Sequence, residues 1–299
     1  MNHDASPEAL QPRLEYVTCL SPAGLHRMAY WEWGDPANDN VLVCAHGLTR
    51  TGRDFDVLAR RMASRYRVVC PDVVGRGRSD WLGNSAYYTV PQYVADMMPL
   101  LARVQAETLH WFGTSMGGLI GMALAGLQAS PIDKLVLNDV GPRLDPAALA
   151  RIGQYVGKAP AFRSVEEAQA YVSTVSASFG PHTDEQWREL TRHVVRQADG
   201  PAGPWIMHYD PAIADAFAAI DPAAAIAAEA ALWHVYANIE CPILVVRGEH
   251  SDLLAEDTVE RMLAVNPHAR CAVIPGVGHA PTFMIPEQLD VADRFLSEN

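Results

Sequence analysis

The chain has few cysteines, a shortage of positive charge and no long apolar run, and each shortage closes off a class of protein. Five cysteines occur in 299 residues, at Cys19, Cys44, Cys70, Cys241 and Cys271. The count is odd and the spacings match no zinc or redox pattern. All five fall in or beside expected strands, where free thiols behave as small hydrophobes. That usage predicts a reducing compartment and hence a cytoplasmic protein. Lysine and arginine total 23 against 35 acidic residues, a formal net charge of −12. The basic footprint of a nucleic-acid binder is therefore missing, and an acidic surface disfavours anionic polymers and anionic membranes as partners. No uninterrupted apolar stretch approaches the roughly 18 residues of a membrane-spanning helix. Residues 1–12 are polar and lack the positive start and apolar run of a signal peptide. There is no His-Glu-x-x-His or comparable ligand set, no phosphate-binding loop, and Gly75-x-Gly77 lacks the third glycine of a dinucleotide loop. No metal and no cofactor are expected.

What is present centres on Gly113-Thr114-Ser115-Met116-Gly117. The pentapeptide follows an apolar run, Leu109 to Phe112, and precedes a small-residue helical stretch from Leu119 to Ala125. A nucleophilic serine on a strained strand-to-helix turn needs that Gly-x-Ser-x-Gly pattern. The glycines leave room for the turn and for close packing of strand on helix. The helix start directs its amides at the site. The pattern alone is weak, because a glycine-rich start to a helix also produces it; the strand–turn–helix context is what favours the catalytic reading.

A histidine and an acid are sought downstream. Residues 242–247 read as a buried strand that runs into Gly248-Glu249-His250-Ser251-Asp252, and residues 271–275 as another that runs into Gly276-Val277-Gly278-His279. Asp252 and His279 both follow the C-terminal end of a strand, the edge at which open parallel sheets bind ligands. His279 is expected to take the Ser115 proton and Asp252 to hold the imidazole in the right tautomer. Asp139, after the apolar run 135–137, is the competing acid. Asp252 is preferred, with Asp139 read as an anchor for the turn that follows. His250 and Glu249 read as solvated loop residues.

These motifs, taken in order, resemble the α/β-hydrolase fold family, in particular its esterase-like and lactonase-like members with a helical cap. The strand 41–45 runs into His46-Gly47-Leu48, similar to the family's oxyanion loop. Asp72-x-x-Gly75-x-Gly77-x-Ser79 is similar to another of its loops. The serine turn, the Gly-x-x-x-Asp loop and the Gly-His loop complete the set. The resemblance implies oxyanion donors at the amides of Leu48 and Met116, with His46 bracing its loop. Arg50 reads either as a partner for a substrate carboxylate or as a solvated loop arginine.

The expected fold is α/β: a mostly parallel twisted sheet flanked by helices, with an inserted helical cap. Residues 13–33 read as a leading hairpin, and strands then alternate with helices to about residue 142, helix signals falling at 54–64 and 90–104. From 143 to 235 the strand signals stop. That stretch is alanine-rich and carries capping boxes at Ser164-x-x-Glu167 and Thr183-x-x-Gln186. The core is therefore assigned to 1–142 and 236–299, and the cap to 143–235. Trp205, Ile206, Met207, His208, Tyr209, Trp233 and Tyr236 are candidate pocket walls, Trp205, His208 and Tyr209 foremost.

The expected activity is hydrolysis of small carboxylic esters or lactones through an acyl-enzyme. Three alternatives stand beside it. A carbon–carbon bond hydrolase of the meta-cleavage type would follow His46-Gly47 with a glycine-rich stretch rather than Leu48-Thr49-Arg50. An acyltransferase or perhydrolase would replace water with another nucleophile. A ligand receptor on the same fold would have lost part of the triad.

Overall fold

The computed structural model describes residues 11–198, 200–218 and 222–298; residues 1–10, most of the polar N-terminal stretch, lie outside the described residues. An eight-stranded sheet forms its centre. The strands are β1 (Arg13–Ser21), β2 (Gly24–Trp33), β3 (Asn40–Ala45), β4 (Arg67–Pro71), β5 (Thr108–Thr114) and β6 (Lys134–Asn138). Three short strands follow, β7 (Ala161–Phe162), β8 (Val195–Gln197) and β9 (Trp205–Met207), before β10 (Ile243–Gly248) and β11 (Ala269–Ile274) complete the large sheet. Its order is β1-β2-β4-β3-β5-β6-β10-β11. β1 and β2 are an antiparallel hairpin, β2 meets β4 antiparallel, and the other pairings are parallel.

Sequence pattern explains the strand positions. In β3, Val41 to Ala45 are all buried, as a parallel strand covered by helices on both faces requires. In β1, buried Val17, Cys19 and Ser21 alternate with exposed residues, so only one face is covered. The covering helices are α1 (Asp56–Met62), α2 (Val90–Val104) and α3 (Met116–Ala125), followed later by α8 (Pro222–Ala237), α9 (Glu256–Val265) and α10 (Pro286–Ser297). α2 starts where the Thr89 hydroxyl accepts from Gln92 N, and its first turn tolerates a proline. α3 is buried almost all round, as its uniformly apolar sequence demands.

Between β6 and β10 lie α4 (Pro146–Gly153), α5 (Val165–Val175), α6 (Asp184–Arg192) and α7 (Ile213–Ala218). Ser164 caps α5 by accepting from Glu167 N, and Thr183 with Gln186 forms a reciprocal capping box on α6. The expectation that strands are absent here is corrected: β7, β9 and β8 form a small antiparallel sheet. These strands are two or three residues long, too short for a period-2 signal to emerge. The expected boundary at residue 235 also falls inside α8. Trp233 and Tyr236 on that helix are buried in the main core, and the Val235 side chain covers Gly126 at the end of α3. They are core residues, not pocket walls.

Candidate active site

Ser115 sits between β5 and α3 with φ +51° and ψ −115°, a conformation that L-residues rarely adopt. The two glycines make the turn possible. A Cβ on Gly113 would run into the backbone of Gly117, and one on Gly117 into the carbonyl of Ala45. Ser115 N donates to Asn138 O at 3.0 Å, which ties the turn to the end of β6. Asn138 Nδ2 in turn donates to Thr114 Oγ1 at 3.0 Å and to Pro281 O at 2.9 Å, joining this edge to the loop that carries His279.

The Ser115 hydroxyl lies 3.0 Å from His279 Nε2. His279 Nδ1 lies 2.7 Å from Asp139 Oδ2. An ionised carboxylate only accepts, so the imidazole donates from Nδ1 and offers Nε2 as acceptor to the serine hydroxyl. Asp139 is fully buried and held from several sides. Gly248 N donates to its Oδ1 at 2.8 Å and Ser251 Oγ to its Oδ2 at 2.6 Å. Its backbone has φ +56°, a second left-handed residue at the same edge.

The placement of Asp252 beside His279 is therefore corrected. The Asp252 carboxylate accepts from Arg151 Nε at 2.7 Å and Nη2 at 3.0 Å, and its side chain is 44% exposed. β6 neighbours β10 in the sheet, so both acids follow adjacent strands. Asp139 follows its strand directly and turns into the interior, whereas Asp252 lies four residues beyond the end of β10 and projects outward. Ser251, next to it, faces inward and reaches Asp139.

The loops after β3 and β4 complete the floor. His46 Nε2 accepts from Val73 N at 2.9 Å, and its Nδ1 meets Gly47 O at 2.7 Å. Burial pushes its pKa down to about 3, so the ring is neutral and braces the two loops. Asp72 accepts from Gly52 N, Arg78 N and Trp31 Nε1, and burial raises it to about 6. The acidic loop motif is thus a brace. Arg76, wholly buried, carries information that the sequence did not disclose. Its Nε donates to Leu48 O at 2.8 Å, its Nη1 to Val74 O at 2.7 Å, and its Nη2 approaches Met116 Sδ at 3.5 Å. It fastens the segment carrying Leu48 against the start of α3. Among the described residues, no protein acceptor engages the amide of Leu48 or of Met116.

A cavity of about 100 Å³ opens over Ser115 and His279, walled by Leu48, Ile152, Val172, Phe179, Met207 and Tyr209 among others. Arg50 borders it but is neither solvated nor free. Its Nε and Nη2 bind Asp54 at 2.6 and 2.8 Å, and Nη2 also reaches Leu190 O at 2.7 Å. It clamps the loop after β3 to α6. Two other expected walls are corrected. Trp205 and His208 line a separate groove with Trp31, Arg53, Arg78 and Arg196. Met207 and Tyr209 line the cavity while Trp205 and His208 meet the other groove. Trp205 and Met207 share one face of β9 and pack against the same cap cluster, so position along the strand, not alternation, separates them. Burial and the nearby Arg78 push His208 down to about 4.

Two clusters of potential metal ligands occur among the described residues, and neither borders the cavity. In Cys19–His26–Asp96, burial raises the thiol to about 12, against thiolate ligation. In Asp56–Glu189–His193, Asp56 is already bound by Arg53. Among the described residues no helix is long and apolar enough to cross a membrane.

Comparison with known proteins agrees with this geometry. The profile of the Alpha/beta hydrolase family matches residues 42–294. A 3-hydroxybutyrate-oligomer hydrolase of Cupriavidus necator is 58% identical over 287 residues, 96% of this chain and 98% of that protein. Esterase YbfF of Escherichia coli is 26% identical over 251 residues, 81% of this chain and 87% of that protein. The crystal structure of an alpha/beta hydrolase from Novosphingobium aromaticivorans superposes with a TM-score of 0.82 at 33% identity, covering 96% of this chain and 98% of that one. A serine presented on a strained turn at the edge of a mostly parallel sheet and a family match across most of the sequence lead to one conclusion: the chain belongs to the alpha/beta hydrolase family and is a carboxylic ester hydrolase.

Proposed function

We propose that the protein hydrolyses short oligoesters of 3-hydroxybutyrate through an acyl-enzyme on Ser115. The observation that carries the mechanism is the chain of contacts from Ser115 Oγ through His279 to Asp139, at 3.0 and 2.7 Å. The substrate is argued from the relative that is 58% identical over nearly the whole of both chains. A cavity of about 100 Å³ also suits a small acyl unit, well below the roughly 300–1,000 Å³ of sites that enclose drug-sized ligands.

Ser115 Oγ attacks the ester carbonyl as His279 Nε2 takes its proton, and Asp139 stabilises the imidazolium that forms. The amides of Leu48 and Met116 receive the charge developing on the carbonyl oxygen; losing one such donor in a comparable enzyme raises the barrier by about 3–4 kcal/mol. His279 then protonates the departing alkoxide. Water, deprotonated by the same imidazole, attacks the acyl-Ser115 ester and releases the acid. The inserted segment that carries α4 to α7 serves as a cap, its Ile152, Val172 and Met207 closing the acyl cavity from above.

The test is release of 3-hydroxybutyrate from its dimer and trimer, followed by chromatography. Wild type is expected to cleave both. Ser115→Ala should lower kcat by about four to six orders of magnitude, and a fluorophosphonate should label Ser115. Labelling elsewhere, or cleavage of aryl esters with none of the oligomers, overturns the reading.

A further inference from the structure

Arg151 on α4 borders two spaces at once. One is the cavity over Ser115; the other is an outer hollow of about 610 Å³. Tyr155, Tyr171, Val175 and Ser178 also line both, so the two adjoin across these side chains, and the outer one is the more open to solvent. Arg151 and Lys158 are the cationic side chains of this passage, and Asp252 is its carboxylate.

The Arg151–Asp252 pair is poorly suited to a purely structural task. Its side chains are 36% and 44% exposed, and exposed pairs contribute little to stability. The pairing uses Arg151 Nε and one Nη2 hydrogen, and the Tyr155 hydroxyl lies beside the same guanidinium, which has five N–H donors in all and so keeps capacity for a further acceptor. The Asp252 hydrogen bonds also raise the already high Arg151 pKa, so the charge is permanent. Arg50 differs in each respect. It is buried, bound to the partly buried Asp54 and fixed to a carbonyl of α6.

An oligoester of a hydroxy acid carries its free carboxylate on the alcohol side of the scissile bond. With the acyl unit in the small inner cavity, that side extends into the outer hollow. We infer that Arg151 forms a carboxylate subsite there, that Lys158 extends it for longer leaving groups, and that Asp252 competes with the substrate carboxylate for Arg151. The inference rests on the oligoester reading above and adds a direction to it. The hydroxyl end enters first, the carboxylate end stays outermost, and an anionic oligomer is preferred over a neutral one of equal length.

The experiment compares kcat/KM for the 3-hydroxybutyrate dimer with that for its carboxyl-terminal N-methylamide, which keeps the scissile ester and lacks the charge. Arg151→Gln should lower the acid-to-amide ratio about tenfold or more, the loss expected when a charge-assisted hydrogen bond is removed. Asp252→Asn should raise the same ratio a few-fold, because the competing carboxylate is gone. Opposite shifts separate this subsite from a merely structural ion pair, whose loss moves both variants the same way. Raising ionic strength from about 0.05 to 1 M should lower the wild-type ratio. If Arg151→Gln does not fold, the exposed Lys158→Gln gives the second reading, as a lowered acid-to-amide ratio with the trimer. A wild type that cleaves neither dimer removes the oligoester reading and this subsite with it. A wild type that cleaves both, with the ratio unmoved in Arg151→Gln, or with both variants shifting together, removes the subsite alone.

Discussion

Two carboxylates follow neighbouring strands of the same sheet, and they live in opposite worlds. Asp139, just after β6, is fully buried and takes hydrogen bonds from Gly248 N, Ser251 Oγ and His279 Nδ1. Asp252, in the loop after β10, faces the outer hollow and pairs with a half-exposed arginine. An acid that must orient an imidazole needs fixed geometry and a low local dielectric, which only the first setting supplies. An acid that must yield its partner to an incoming ligand needs water and a weak pairing, which only the second supplies. The loop after β10 serves both regions, since Ser251 points inward to Asp139 while Asp252 points out.

The comparison breaks first if the two acids are exchanged in effect. Asp139→Asn should lower kcat for the 3-hydroxybutyrate dimer by about four orders of magnitude, through the wrong histidine tautomer. Asp252→Asn should cost no more than about tenfold in the same assay. A reversed ranking moves the catalytic acid to the end of β10.

A smaller effect belongs to Ser251. Its hydroxyl is 2.6 Å from Asp139 Oδ2 and accepts from Leu254 N at 3.0 Å. Ser251→Ala should reduce kcat by about tenfold, on the scale of one lost hydrogen bond to a charged group, with KM little changed. Ser251→Thr, which keeps the hydroxyl, should recover most of the rate. Equal losses in both variants would tie the defect to loop packing.

The cavity walls sharpen the contrast between the reaction centre and the neighbouring groove. Tyr209→Ala enlarges the cavity and should shift the preference between a short and a long acyl ester several-fold toward the long one. Trp205→Ala, on the other groove, should leave that ratio within experimental scatter. Should Trp205→Ala alter the ratio instead, Trp205 belongs to the cavity wall.

The smallest effect is on stability in acid. Burial depresses His46 to about 3, His193 to about 3 and His208 to about 4, each from 6.5. Below about pH 6.5 the unfolded chain binds protons that the folded chain does not, so folding loses free energy as pH falls. The contribution is whole above pH 6.5 and disappears toward pH 3. Urea midpoints should fall between pH 7 and 4, with a shallower slope in His208→Gln. A slope of the opposite sign contradicts neutral buried imidazoles.

The sequence by itself determined the chain's α/β class, its leading hairpin over residues 13–33, the extent of α2 and the presentation of Ser115. Each follows from local rules: period-2 alternation in β1, a Thr89 cap before an apolar-periodic run, and glycines two residues either side of a serine. The position of His279 was legible too, as the histidine of the loop that follows the apolar run of β11, although that strand lies at the sheet edge and is only partly buried. Other features were decided only when distant segments met. The choice between Asp139 and Asp252 depended on β6 lying beside β10 and on which way each loop turned, and no local pattern records a direction. Arg76 reads as one more loop arginine until the chains after β3 and β5 close over it. The strands β7 to β9 are too short to show a period, and they exist because they pair with one another. Hydrogen-bonding and hydrophobic period act over a few residues, and so can be read along the chain. Burial, side-chain direction and the pairing of charges are set by neighbours in space that can lie more than a hundred residues away, as Ser251 does from Asp139 and Asp252 from Arg151.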